Sequence, residues 1–212
     1  MYQPPHFRED RVDVQHALIR AHSLGLIITA GPGGLQANHI PFLIDAGASE
    51  RGTLRAHLAR ANPQLRELAA VNECLVVFQG PQLYISPSLY ATKRETGKVV
   101  PTWNYITVQA WGRPRVMDDA AWIRRQIEDL TQHKEASNSA PWQVADAPEP
   151  FVEMQIKAIV GVEIEIARIE GKWKVSQNRP PADQASVIEG LRGTSAEADV
   201  MASQVEARSK RP

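Results

Sequence analysis

Cysteine is nearly absent from this 212-residue chain, with Cys74 standing alone. No intramolecular disulfide and no cysteine-based zinc cluster can form, and a single thiol suits a reducing compartment. Excess charge is absent as well: 24 Lys and Arg balance 24 Asp and Glu. There is therefore no long-range attraction to a phosphate backbone, and nucleic-acid binding would need a local patch. No stretch approaches the ~18 uninterrupted apolar residues of a membrane span. The first ten residues include His6, Arg8, Glu9 and Asp10 and carry no apolar export segment, so the expected location is cytoplasmic. Stand-alone catalytic signatures are missing too. The chain has no Gly-x-Ser-x-Gly, no Walker loop, no His-Glu-x-x-His and no Cys-x-x-Cys, and nothing supports a hydrolase or a metal site. What is present is 43% hydrophobic residues, enough for one domain with its own core.

Hydrophobic periodicity orders that core. From Asp10 to Ser23, Val14, Ala17, Leu18 and Ala21 recur at helical spacing. Leu24 to Ala30 and Leu35 to Ile44 are apolar runs joined by Gly31-Pro32-Gly33-Gly34, which predicts a hairpin. Thr53 to Ala59 alternates strictly, with Leu54, Ala56 and Leu58 on one face and Arg55 and His57 on the other. Asn62-Pro63 starts a short helix carrying Leu65, Leu68 and Ala69. Cys74 to Gln79 reads as a strand, Gly80-Pro81 as a break, and Leu83 to Ser86 as renewed strand. Val99 to Val116, with Trp103, Tyr105, Val108 and Trp111, suits a half-buried sheet. Asp118 opens a helix ending near His133, and Ser137 to Pro150 reads as a loop. Val160, Val162, Ile164 and Ile166 form the cleanest strand, followed by a bulge at Ala167-Arg168, a turn at Glu170-Gly171 and a last strand, Lys172 to Ser176. Six or seven strands with few helices predict a mainly β protein with flanking helices, a closed or nearly closed antiparallel barrel. One domain is expected over 1–192, followed by a polar, flexible tail over 193–212.

Three segments carry groups suited to chemistry. In His57-Leu58-Ala59-Arg60-Ala61-Asn62-Pro63 a strand ends, a guanidinium follows and a helix N-terminus begins, an anion site in outline. The plainer reading, a capped helix with a surface arginine, is favoured by spacing alone. Val100-Pro101-Thr102-Trp103-Asn104-Tyr105 packs an indole, an amide and a phenol into adjacent positions. These suit either a planar ligand or a core or interface strand. Along Gly171 to Asn178, Lys172, Lys174, Ser176 and Asn178 share one strand face and Trp173, Val175 and Gln177 the other. The lysine face would hold an anion or keep an edge strand solvated. Gly31 to Gly34 joins two strands instead of opening a helix and is read as a turn, not a phosphate cradle. His39 alone reads as a hydrogen-bonded structural residue.

Taken together, Tyr2-Gln3-Pro4-Pro5-His6-Phe7, His39-Ile40-Pro41-Phe42, His57 to Pro63, Phe78-Gln79-Gly80-Pro81, Tyr84-Ile85-Ser86-Pro87-Ser88-Leu89-Tyr90, Pro101 to Tyr105 and Gly171 to Asn178 resemble, in order and spacing, the PaiB family of FMN-binding negative transcriptional regulators. The resemblance covers about residues 1 to 192. It implies an antiparallel Greek-key split β-barrel of the FMN-binding split-barrel type, homodimeric, with FMN in clefts at the subunit interface. On that likeness the flavin ring would lie along Asn38, His39, Ile40 and Pro41, and the phosphate would meet His57, Arg60 and Asn62. Trp103, Asn104 and Tyr105 would approach from a neighbouring strand, and Lys172, Trp173 and Gln177 would come from the partner subunit. The implied role is negative regulation of transcription. The residues themselves show no helix-turn-helix and no basic helix, so direct DNA binding has no support from charge or motif. The alternative is a flavin-dependent oxidoreductase with no direct DNA binding, in which His39 or His57 is the first candidate for proton transfer.

Overall fold

In the computed structural model, which describes residues 1–209, the alternating stretch becomes β4 (Thr53–Ala59), with Leu54, Ala56 and Leu58 buried and Arg55 and His57 half-buried on the opposite face. The expected hairpin is β2 (Leu24–Gly31) and β3 (Gly34–Asp45), in register from Leu24↔Pro41 to Gly31↔Gly34. Pro32 takes the second turn position, and Gly34 closes the turn at φ +88°, a backbone state that costs glycine little and other residues more. The remaining strands are β1 (Arg8–Glu9), β5 (Cys74–Ile85), β6 (Thr102–Met117) and β7 (Ile159–Lys174). The helices are α1 (Val12–Ala21), α2 (Gln64–Ala70), α3 (Ala91–Glu95), α4 (Ala120–Glu135), α5 (Glu149–Lys157), α6 (Pro181–Leu191) and α7 (Ala196–Ser209). The strand order is β1-β7-β4-β3-β2-β5-β6, with a further β7–β6 pairing that returns the order on itself. This is the mainly β antiparallel barrel with flanking helices that the strand count predicts, of the split-barrel type that the resemblance implies.

The chain divides into two compact units. One comprises Val12–Phe78 and Gln109–Ile169. Its core holds Ile19, Ile27, Phe42, Leu54, Val76, Phe78 and Ile164, all buried, with Phe42 and Phe78 edge to face at 5.7 Å. A Cβ on Gly25 would lie within 2.9 Å of Phe78, Phe42 and Val76, so glycine is what lets the rings meet β2. Ile123 of α4, Val152 and Ile156 of α5, and Val144 of the segment between them form a cluster against Trp122 and Ile127. Cys74 is buried, its thiol directed at the Gly112 carbonyl at 3.5 Å, and burial pushes its pKa up to about 12. The other unit comprises Met1–Arg11, Gln79–Val108 and the chain from Glu170 onward. It buries Ile85, Tyr90, Ile106, Trp173, Val187, Met201 and Val205.

Four sequence expectations are corrected. Gly80-Pro81 does not end a strand: β5 runs through it while the inward positions shift from Cys74, Val76, Phe78 and Gly80 to Ile85. Glu170-Gly171 is not a turn, because β1 supplies a ladder partner there (Arg8↔Lys172, Glu9↔Gly171) and β7 continues to Lys174. The inward alternation does break at Ala167 and Arg168, both exposed, where the bulge is expected. The buried face of α1 is Gln15, His16, Leu18 and Ile19, not Val14, Ala17 and Ala21. Residues 196–209, inside the stretch read as a structureless tail, form α7, which buries Ala198, Met201, Ala202 and Val205. A helix with so few large apolar residues leaves little periodic signal, since alanine supplies much of its buried stripe. Residues 210–212 of that expected tail lie outside the described residues.

Candidate functional site

The first group of expected site residues lies in the Val12–Phe78 unit. β3 pairs with β2 over residues 34–41 and with β4 only from Phe42 to Asp45. Its second edge from Leu35 to Pro41 therefore has no strand partner among the described residues. On this edge His39 and Pro41 are exposed, Ile40 is buried, and Asn38 donates its amide to Gln64 Oε1 at 2.8 Å. Gln64, fully buried at the start of α2, also donates to Thr29 Oγ1 and to the carbonyls of Ile27 and Gln36. Glu67, one turn on, accepts the Gly33 amide. Gln64 and Glu67 thus tie α2 to the hairpin, a role that hydrophobic periodicity does not register because both residues are polar.

His57 is half-buried on β4. Burial holds its imidazole below the usual histidine range, and its Nδ1 is enclosed with no partner. Asn62 accepts the Gln64 amide at 2.9 Å, capping α2. Arg60 is paired within the chain. Its two terminal nitrogens bond both oxygens of Asp118 at 2.9 and 2.6 Å, and Nε donates to the Lys157 carbonyl at 3.0 Å. The hydrogen bond with Asp118 raises the arginine pKa and lowers that of the aspartate. α2 has seven residues, and the Leu65 and Arg66 amides already donate to the Asn62 and Pro63 carbonyls. At this corner, read from sequence as an anion site, the first amides of α2 and most of the guanidinium donors are already bonded within the chain, while the Arg60 side chain stays 45% exposed.

The second group lies in the unit that holds Gln79–Val108 and Glu170 onward. Trp103 and Tyr84 meet edge to face at 6.0 Å while remaining 49% and 50% exposed, and Trp103 Nε1 donates to Gln82. Asn104 is buried and donates to Ser176 Oγ at 3.0 Å, with Ser176 at φ 67°. Tyr105 lies beside two ammonium groups, Lys172 Nζ at 5.2 Å and Lys174 Nζ at 5.9 Å from its ring. Lys172, itself buried, donates to the Tyr2 carbonyl. Lys174 donates to Thr102 Oγ1 and the Trp103 carbonyl. Its pKa is lowered by burial and then by the charges of Lys172 and Arg179. Trp173 is buried beneath the Arg208 guanidinium, and Gln177 folds back on the Val175 amide and the Trp173 carbonyl.

Comparison with known proteins shows the origin of this arrangement. Residues 1–168 match a family described as "Putative FMN-binding domain". The chain is 37% identical to the uncharacterized protein AN0679 of Emericella nidulans over 93% of each. It is 31% identical to protease synthase and sporulation protein PAI 2 of Bacillus subtilis over 91% of this chain and 89% of that one. The chain belongs to the PaiB family of FMN-binding proteins. Among solved structures, the fold of this PaiB-family chain is similar to that of the conserved hypothetical protein Rv2991 from Mycobacterium tuberculosis (TM-score 0.59, 11% identity, 85% of this chain and 94% of that one). It is also similar to the FAD and heme binding protein from Mycobacterium smegmatis (TM-score 0.57, 15% identity, 79% and 73%).

FMN is the cofactor that family membership assigns, and residues of this PaiB-type chain fit it. FMN combines a planar ring system with a phosphate dianion. The chain offers a solvent-facing indole and phenol, which suit ring contact. Near them Lys174 donates to Thr102 and to the Trp103 carbonyl, and neither it nor Lys172 has a carboxylate partner among the described residues. Bound FMN supplies hydride and electron chemistry; the protein's part is to hold and orient it. No helix among the described residues is long and apolar enough to cross a membrane, and no metal-ligating cluster occurs among them.

Proposed function

We propose that this protein is a cytoplasmic, homodimeric FMN-binding regulator of the PaiB type that acts negatively on transcription, with flavin as the sensed ligand or redox cofactor. The observation that carries the flavin part is the exposed Tyr84–Trp103 pair beside unopposed Lys172 and Lys174. The unpartnered β3 edge, with Leu35 80% exposed, supports a dimer, because a free apolar strand edge is a surface that chains cover. The regulatory part rests on the family resemblance, and the chain is alike over 91% of its length to the B. subtilis protease synthase and sporulation protein PAI 2. A zero net charge gives no electrostatic help to operator binding, so DNA contact would have to come from local contacts or through another protein.

The test takes purified protein through a visible spectrum before and after FMN is added and the excess removed, a solution mass, and DNA shift assays at several salt concentrations. Retained flavin bands, a mass near twice the chain and a shift that survives raised salt are the expected results. A shift that vanishes as phosphate-only contacts do would remove direct DNA binding, and a single-chain mass would remove the dimer. A second reading, flavin-dependent oxidoreductase, is favoured by one observation, the neutral imidazole of His57 with its enclosed, partnerless Nδ1. Steady oxidation of a reduced nicotinamide by FMN-loaded protein, slowed in His57→Gln, would select it.

A further inference from the structure

We propose that the cleft along the C-terminal half of α4 is a second binding site, one that takes a small organic ammonium cation. The proposal goes beyond the flavin reading and does not depend on it, since none of the residues offered for FMN lines this cleft.

The cleft has a volume of about 560 Å³, within the range of small-molecule sites. One wall is the second half of α4, with Glu128, Thr131 and Glu135, and the other is the segment that follows, with Pro141, Trp142 and Val144. The three α4 residues fall at i, i+3 and i+7, which places them on one helical face. Local bonds hold the second wall in place. Glu135 accepts the Trp142 backbone amide at 3.2 Å and the side-chain amide of Asn138, and Val144 is buried with Ile123, Val152 and Ile156. The Trp142 indole, 47% exposed, therefore shares the cleft with a fixed carboxylate.

The charge of this lining has one sign. No Lys, Arg or His lines the cleft among the described residues, and Glu128 makes no ion pair among them. Of the two arginines one turn before Glu128, Arg124 pairs with Glu149 and Arg125 is exposed outside the lining. His133 faces the Arg20 carbonyl instead. α4 also ends here, and its carbonyl pole adds negative potential. Two carboxylates, a helix C-terminus and an indole face all favour a positive charge. A metal ion matches the lining poorly. Glu128 and Glu135 lie two turns apart, about 10 Å along the axis, too far to meet on one ion, and no metal-ligating cluster occurs among the described residues. An ammonium group with an apolar body uses both features, its charge toward a carboxylate and its methyl or methylene groups against the indole.

The experiment titrates the full chain with choline, and separately with its neutral isostere, in which a carbon replaces the quaternary nitrogen. The signal followed is the Trp142 indole N–H in proton–nitrogen correlation spectra, assigned by its loss in Trp142→Phe. Glu128→Gln is the test variant, because Glu128 is exposed and holds no structural bond. Choline is expected to give a saturable shift at Trp142, with roughly millimolar affinity. The neutral isostere should bind about fivefold more weakly or worse. Glu128→Gln should weaken choline about threefold, while the isostere's affinity and the urea midpoint stay unchanged. Equal wild-type affinity for choline and the isostere would make the cleft an apolar recess without charge selection and overturn the proposal. No saturable shift at Trp142, or choline affinity unchanged in Glu128→Gln, overturns it as well. Flavin bands read on the same samples report separately on the FMN reading, whose failure would leave these outcomes untouched.

Discussion

Gly112→Ala lowers the stability of this chain by about 3 kcal/mol or more, at the upper end of what overpacking costs, read as a fall in the urea midpoint. A Cβ at Gly112 would sit 2.0 Å from the Glu165 carbonyl oxygen and 2.8 Å from Ile164 Cγ2. The obstacle is backbone, which cannot rotate away as a side chain does, so β6 and β7 must separate locally. Gly34→Ala provides the comparison: nothing lies within 4 Å of the new Cβ there, and only the φ of +88° resists, at roughly 1 kcal/mol. Equal effects at the two positions would show that β6 and β7 do not approach so closely.

Arg208→Ala is the second large effect, a loss of about 2 kcal/mol at neutral pH, the scale of one hydrogen bond to a buried charge that keeps its other partner, Arg11. Glu9 on β1 is 3% exposed and bonded by Arg11 and by Arg208 from α7, the latter at 2.6 Å. Burial alone would raise the Glu9 carboxyl, but the hydrogen bonds from Arg11 and Arg208 outweigh it and bring the pKa from 4.5 to about 2. The folded value lies below the unfolded one. The stabilisation is therefore fully present above about pH 4.5 and is lost as pH falls from there through about 2. Urea midpoints at pH 7, 4 and 3 should converge for wild type and Arg208→Ala as acid removes what the arginine secures. Parallel lines across that range would place the stabilisation elsewhere. The same substitution uncovers the Trp173 ring, over which the guanidinium lies at 5.0 Å.

Strands were the most legible part of the chain wherever one face is buried. Leu54, Ala56 and Leu58 on β4, and Val160 to Ile166 on β7, alternate because the pleat does. Legibility failed where glycine or proline was read as punctuation: Gly80-Pro81 and Gly171 sit within long strands, and what keeps them extended is a partner distant in sequence, β1 in the case of Gly171. Helices α5, α6 and α7 were not read at all, since their apolar stripes are short or built of alanine. Of the candidate site, local sequence offers Trp103 and Tyr105 as groups suited to a planar ligand and Lys172 as one suited to an anion, each beside a plainer structural reading. Arg60 was placed by the same reasoning, but its engagement depends on Asp118, 58 positions away, which no local spacing reveals. Gln64 was passed over because a buried amide with four bonding partners looks, in sequence, like any polar helix residue.

The solitary thiol gives the chain a built-in clock for its own breathing. Cys74 reacts only as thiolate and only when reached by solvent. Enclosed in β5 with a pKa of about 12, it stays silent toward thiol reagents while the strand is closed. Its labelling rate at fixed pH therefore counts openings of that strand, without interference from a second sulfhydryl, and the growth of that rate with urea distinguishes local fraying from global unfolding.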